Sequence, residues 1–479
     1  MTLHPDTRPP RAERAAQARI ATDRLRTAAV DAVAVGWVDN AGLARVKAVP
    51  VSGLEHAAQW GIGAAPCFDA FLVDDSTADP RADPTADPRA DATADPALGG
   101  GTGSPVGDLR LHPDLDRLVP LAAQPGWAWA PADRYTQQGT PHPGCQRLFA
   151  RRMEAAARER GLTLRAGIEV EWVAALAGGP EEEPRHPTSG PAYGMQRLTD
   201  LSDYLRDVLR ALEQQGLTVL QIHPEYAPGQ FEVSVAAEGP VAAADTSVLV
   251  RHTVRAVSAR HALRASFAPA VRAGGVGNGA HLHLSLWRDG RNLGHGGPGR
   301  HGLTVEAEAF LAGVLTALPA LLVLGTPSPA GYLRLVPSRW AGAYQCWGLE
   351  NREAALRLVT GSQGERAEAS NAEIKCFDAT ANPYLAVGAV IAAGLAGIDQ
   401  ALRLPPETTV DPARLQPGTV PRLPTDLGEA LAAYERSAVL KEALGEPLYD
   451  AVLDVRRAEI ALFADRSEEE IMAATRWRY

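Results

Sequence analysis

Two carboxylates stand two residues apart in the apolar run Gly167-Ile168-Glu169-Val170-Glu171-Trp172. In a strand that spacing puts both side chains on one face, where like charges repel unless a cation sits between them. The segment Ile222–Glu232 adds Glu225 and Glu232 around a Pro-Gly turn. Gly277–Ser285 adds His281 and His283 on one strand face, and Asn371–Lys375 adds Glu373. Each of these alone is also what a solvated strand face or a satisfied core histidine looks like; the set carries the reading. Five glutamates with one or two imidazoles suit a hard divalent cation, Mg²⁺, with the imidazole shifting preference slightly toward Mn²⁺. No thiolate belongs to the set, which argues against zinc. Phosphoryl transfer from ATP needs about two or three such cations to neutralise the phosphates and hold the transferring group in line. No GxxxxGK[ST] loop occurs, so a P-loop does not hold the nucleotide. Arg334, Arg352 and Arg357 add guanidinium forks that match phosphate and carboxylate oxygens, although a single arginine is as commonly a surface ion pair.

The elements that must position these groups follow from periodicity. Asp31–Val51 reads as two β-rich runs around Asp39-Asn40-Ala41-Gly42, a hairpin signal. Cys145–Arg160 reads as a helix, Leu162–Ala175 as one strand, and Leu198–Gln215 as a helix ending at Gly216. Strands around the Pro-Gly turn follow over Leu217–Ala237, then a helix over Val248–Leu263 and a strand over Gly279–Trp287. The C-terminal third is mostly helical, with strands near Tyr344–Trp347, Ala355–Leu358 and Glu373–Cys376. Mixing without a strict βαβ rhythm predicts an α+β fold.

The 479 residues predict two or three domains, or one large one with an appendage. Apolar residues at 46% and charged residues at 22% are an ordinary globular composition. A net charge of −10 argues against nucleic acid as a partner. The N-terminus has no apolar signal-peptide core. The apolar stretches Phe310–Leu324 and Tyr384–Ile398 are short for a membrane span and read as core helices. Cys67, Cys145, Cys346 and Cys376 are far apart and form no CxxC pair, as expected of free thiols in the cytoplasm. Residues 1–20 read as a flexible tail or a first helix. In residues 76–106, Thr-Ala-Asp-Pro recurs at Thr77, Thr85 and Thr93 before a glycine cluster, which predicts a disordered insertion.

In order along the chain, DNAGLARVKAVP, GIEVEW, HPEYAPGQFE, GNGAHLHLSLW, YLRLVP, ENREAALR, EIK and ANPYLA resemble the glutamine synthetase family from Asp39 to Tyr479. The resemblance implies a β-grasp domain over 21–130, a catalytic domain over 131–479, and a homododecamer of two stacked rings with sites shared between neighbours. It implies one metal on Glu171, Glu225 and Glu232, and a second on Glu169, His281 and Glu373. It places His283 and Ser285 beside the nucleotide and Arg357 near its phosphates. Arg334 then meets the reacting carboxylate, Arg352 the transferring phosphoryl group, and Gly277 lies where the family contacts glutamate. ATP turns a carboxylate into an acyl phosphate, which an amine attacks.

The sequence departs from the family where the amine binds. Trp340 stands where a flap glutamate helps bind and deprotonate ammonium, and an indole cannot take that proton, although it can pack on an alkyl chain or a cation. Asp69 keeps the other ammonium-site acid. Lys375 replaces an arginine that clamps the amino acid, and Asn371 replaces one near the nucleotide. These changes resemble the glutamine-synthetase-like ligases that join glutamate to polyamines or ethanolamine. The two alternatives are an ordinary ammonia-using glutamine synthetase and a non-catalytic nucleotide-binding homologue.

Overall fold

The computed structural model describes residues 8–78, 107–178 and 184–479. Its first element is the helix Arg11–Thr27, which buries Ala15, Ala18, Ala21 and Leu25. The tail expected over 1–20 therefore gives way to the helical alternative from Arg11 on: small residues at helical spacing find a sheet to pack on. Most of the expected 76–106 insertion lies outside the described residues. Thr77 bridges Phe71 and Ala78 is buried, so the fold extends to Ala78.

The N-terminal sheet runs in the order Ala44–Pro50, Ala32–Val38, Trp127–Tyr135, Leu109–Pro113, Ile62–Ala64. The two middle strands, Ala32–Val38 and Trp127–Tyr135, are parallel, and the remaining pairs are antiparallel. Alternating Val33, Val35 and Trp37 face the helices Arg11–Thr27 and Leu54–Trp60 in one core. The strand Trp127–Tyr135 runs through the boundary expected at 130/131.

The expected hairpin forms, but its tip is not a solvated turn. Asp39, Asn40 and Ala41 are fully buried. Asn382 donates to the carbonyls of Val38 and Asp39, the Tyr479 hydroxyl donates to that of Ala41, and Arg456 to that of Asn40. Gly42 has φ 81°, and a Cβ there would lie 1.8 Å from the Thr380 carbonyl oxygen. Only glycine supplies both the conformation and the room.

The C-terminal region carries two further sheets. One runs Leu263–Ser266, Val170–Leu176, Gln230–Val235, Val219–Pro224. The other runs Arg291–Asn292, Leu282–Arg288, Asn371–Ile374, Ala354–Val359, Tyr344–Leu349, with Thr163–Ile168 also on Leu282–Arg288. The single strand expected over Leu162–Ala175 is thus two. Ile168 pairs with Leu282 in one sheet, Val170 pairs with Val233 in the other, and Glu169 is the residue between. The helix expected over Leu198–Gln215 also divides, into Met195–Asp200 and Ser202–Gln214, and the helix expected from Val248 starts earlier, at Pro240. Helices Val305–Gly325 and Pro383–Asp399 pack on each other. The first is long and apolar enough to cross a membrane, yet 78% of its most apolar window is buried inside the fold, as expected of a core helix.

Candidate active site

Where these two sheets meet, their strands bring the predicted carboxylates together. Glu171 and Glu232 are direct cross-strand partners, and His283 lies opposite both Glu373 and Gly167. His281 Nδ1 is 3.1 Å from Glu169 Oε2 and 3.2 Å from Glu373 Oε1, and its Nε2 is 3.7 Å from Glu171 Oε1. His283 Nε2 is 3.2 Å from Glu169 Oε1. Ligand atoms of Glu169, His283 and Glu373 lie within 4.8 Å of one another, and so do those of His223, Glu225 and Glu232. The two predicted histidines therefore both reach Glu169, and a ring nitrogen of His283 also falls within the second cluster.

The electrostatics fit a cation. Burial, then the neighbouring Glu225, pushes the Glu171 carboxyl up to about 7. Burial likewise pushes Glu232 up to about 7. Hydrogen bonds to Glu225 and Glu232, at 3.2 and 3.4 Å, raise His223 to about 10. Burial alone would raise Glu169, but bonds from His281 and His283 hold it well below the carboxylate range. Burial opposes ionisation of Glu373 too, and Lys375 and the histidines overcome it, bringing it to about 2. Buried carboxylates that share scarce positive charge in this way are what Mg²⁺ or Mn²⁺ would satisfy.

The predicted arginines take different places. Arg334 is buried, with a guanidinium nitrogen 3.0 Å from His281 Nε2 and donating to the Lys375 carbonyl. Arg357 donates to Glu373 Oε2 at 3.0 Å. Arg352 is exposed and forms no hydrogen bond or ion pair with the described residues, which leaves its fork free for an anion. Lys375 is buried, with its ammonium on Glu373 Oε1 at 3.0 Å. At Gly277 a Cβ would sit 2.0 Å from the Pro269 carbonyl oxygen and 3.0 Å from Arg334, so glycine is needed to let that loop approach.

A cavity of about 560 Å³ adjoins the second cluster, lined among others by Glu169, His283, Ser285, Trp287, Arg165 and Asn371. It holds both residues expected beside the nucleotide. The Ser285 hydroxyl accepts from Trp287, and the Arg165 guanidinium lies 4.1 Å over the Trp287 ring.

Asp69 is not brought into the cluster within one chain. It is buried in an ion pair with Arg134 at 2.6 Å, and its backbone carbonyl accepts from Asn40. Trp340 is exposed at the rim, at φ 56°, and stacks on Tyr226 with centroids 4.6 Å apart. Tyr226 meets Tyr193 edge-on, and the Tyr193 hydroxyl donates to Glu225 at 2.6 Å. His223 and Tyr193 also belong to this site, although no motif singled them out. His223 stands two residues before Glu225, the same spacing that singled out Glu169 and Glu171, and could have been found. Tyr193 arrives from a distant loop and leaves no local signal.

The family profile described as "Glutamine synthetase, catalytic domain" matches residues 143–474. The gamma-glutamylpolyamine synthetase GlnA3 of Streptomyces coelicolor is 54% identical over 99% of this chain and 98% of its own length. The glutamine synthetase of Clostridium saccharobutylicum is 31% identical over 74% of this chain and 81% of its own. Among solved structures, a glutamine synthase homologue superposes with TM-score 0.81 at 33% identity, covering 94% of this chain and 99% of that one. A GmaS/ADP complex superposes with TM-score 0.79 at 26% identity, covering 93% of this chain and 97% of that one. The match spans the whole catalytic region and reaches the fold of the N-terminal sheet: this chain belongs to the glutamine synthetase family.

Proposed function

We propose that this protein is an ATP-dependent ligase that joins the γ-carboxylate of glutamate to an amine of a polyamine, through an acyl phosphate. The observation that carries the reading is Trp340, an exposed indole stacked on Tyr226 beside Glu225, where an ammonia-using site needs an acid. The 54% identity to a gamma-glutamylpolyamine synthetase supports a polyamine over ethanolamine.

In this reading Glu171, Glu225 and Glu232 hold one divalent cation, and Glu169, His281 and Glu373 a second, with His283 touching the same carboxylate. Bound Mg²⁺ or Mn²⁺ supplies charge neutralisation for the phosphates. His283 and Ser285 line the nucleotide cavity, and Arg357 stands near the phosphates. Arg352, without a hydrogen bond or ion pair among the described residues, takes the transferring phosphoryl group. Arg334, fixed by His281 and two backbone carbonyls, orients the reacting carboxylate, and preorganised charge of this kind is the larger part of such catalysis. Gly277 and Lys375 border the glutamate. Asp69 serves a neighbouring subunit's site in a dodecamer of two stacked rings. The free cysteines fit a cytoplasmic enzyme.

The test is ATP- and glutamate-dependent phosphate release with ammonium, putrescine, spermine and ethanolamine in parallel. Putrescine or spermine should give the highest kcat/KM. Ammonium leading the panel by a wide margin would return the protein to the ordinary glutamine synthetases.

A further inference from the structure

Glu353 carries an unmet hydrogen bond at the rim of this site. It directly precedes the strand Ala354–Val359 and is only 8% exposed. Its Oε1 accepts the backbone N–H of Trp340 at 2.8 Å, whereas Oε2 is buried without a partner among the described residues. Buried carboxylate oxygens are rarely left so, because losing water without gaining a donor is costly. The backbone of Ser338 and the charge of Lys375, whose ammonium is already on Glu373, favour the ionised form of Glu353, and Asp411 opposes it.

The surroundings suit an organic cation. The loop over Glu353 turns through left-handed Ser338 and Trp340, both at φ 56°. Trp340 is 42% exposed and lies at 18° to the ring of Tyr226, itself 39% exposed. Tyr193 continues the aromatic surface to Glu225. Rings of this kind take methylenes and ammonium groups on their faces. Glu353 is four residues from Arg357, the partner of Glu373, which is roughly 13 Å along a strand. The orphan carboxylate is therefore at the far end of an aromatic ledge that begins at the carboxylate cluster.

We infer that Glu353 binds an ammonium group of the amine substrate other than the one that reacts, with the methylene chain lying along Trp340 and Tyr226. The inference rests on the polyamine reading of the site. A second ammonium supplies the donor that Oε2 lacks, and a monoamine or ammonia cannot.

The whole enzyme with ADP and Mg²⁺ is titrated with putrescine and with butylamine, in the wild type, Glu353→Gln, Glu353→Asp and Trp340→Ala. Steady-state kinetics accompany the binding measurements. Glu353→Gln should raise putrescine Kd and KM by about tenfold or more, the loss of one charge-assisted hydrogen bond, with kcat within about twofold. Butylamine, glutamate and ATP should be unaffected. Trp340→Ala should weaken both amines, which share the methylenes. Thermal melting checks the fold, and Glu353→Asp, which keeps the charge but loses reach, gives the same selective weakening should the glutamine variant not fold. Putrescine binding that ignores Glu353→Gln overturns the assignment. So does equal weakening of butylamine, which would move Glu353 to the reacting nitrogen, and so does a wild type that does not bind putrescine. Failure of the polyamine reading shows separately: the wild type would turn over ammonium preferentially while its response to putrescine still reports on Glu353.

Discussion

Glu171 is held where a negative charge is poorly solvated, between Glu232 across the strand and Glu225 in the turn, with Gln230 and the Gly279 N–H as donors to one oxygen. Glu171→Ala and Glu225→Ala should each lower kcat/KM by at least about 10²-fold to 10³-fold with every amine, the range for removing one preorganised charge contact. Retained turnover in either variant would show that the cation is held elsewhere. Far from this cluster, burial and then Arg134 depress the His142 imidazole from 6.5 to about 3. Below pH 6.5 the unfolded chain gains a proton there that the folded chain refuses until about pH 3. His142 therefore adds no pH dependence above pH 7, and its contribution to stability is lost as pH falls across that window, at up to about 1.4 kcal/mol per pH unit. Denaturant midpoints between pH 5 and 8 should fall less steeply on the acid side in His142→Gln. Parallel profiles would contradict this. At this scale strand spacing and motif order singled out the five glutamates and His281 that the structure brings together. The sequence hid Glu353, whose significance depends on which oxygen the loop at Trp340 leaves without a donor.

Elements whose partners are local were legible, and those decided by tertiary pairing were not. The hairpin at Asp39–Gly42 and the strands around Pro228-Gly229 follow from turn chemistry and alternation. The break at Glu169 does not, because the apolar pattern runs on through it and only pairing with two different sheets divides it. The burial of the hairpin tip was equally invisible, since Asn and Gly mark a turn whether water or protein surrounds it. Gly42→Ala should cost about 3 kcal/mol, combining left-handed strain with a clash against the Thr380 carbonyl. Gly216→Ala is the control: its φ is 83° and nothing lies within 4 Å of the added Cβ, so it should cost only the strain of about 1–2 kcal/mol. Equal losses of unfolding free energy in the two variants would mean that the hairpin tip is not docked as the structure has it.

At the scale of the molecule, the tip of the N-terminal hairpin reaches Thr380, Arg456 and Tyr479 in the C-terminal region. A ligand that binds only the folded state raises stability by mass action, about 2.7 kcal/mol at a hundredfold excess over Kd. Mg²⁺ or Mn²⁺ should therefore raise the melting temperature by several degrees, a chelator should reverse the gain, and Glu171→Ala should blunt it. A wild-type melting temperature indifferent to both cations would remove the basis for the metal assignment. Glu169 gives this a mechanical meaning. It sits at the one residue where a single chain run passes from one catalytic sheet to the other, with His281 and Glu373 on the first side and Glu171 and Glu232 on the second. Two ions, one held on each side, would act as a clasp across that crossing. Breathing between the sheets would then disturb both ion sites, which makes the exposed loop that carries Trp340 the less costly place for substrates to enter.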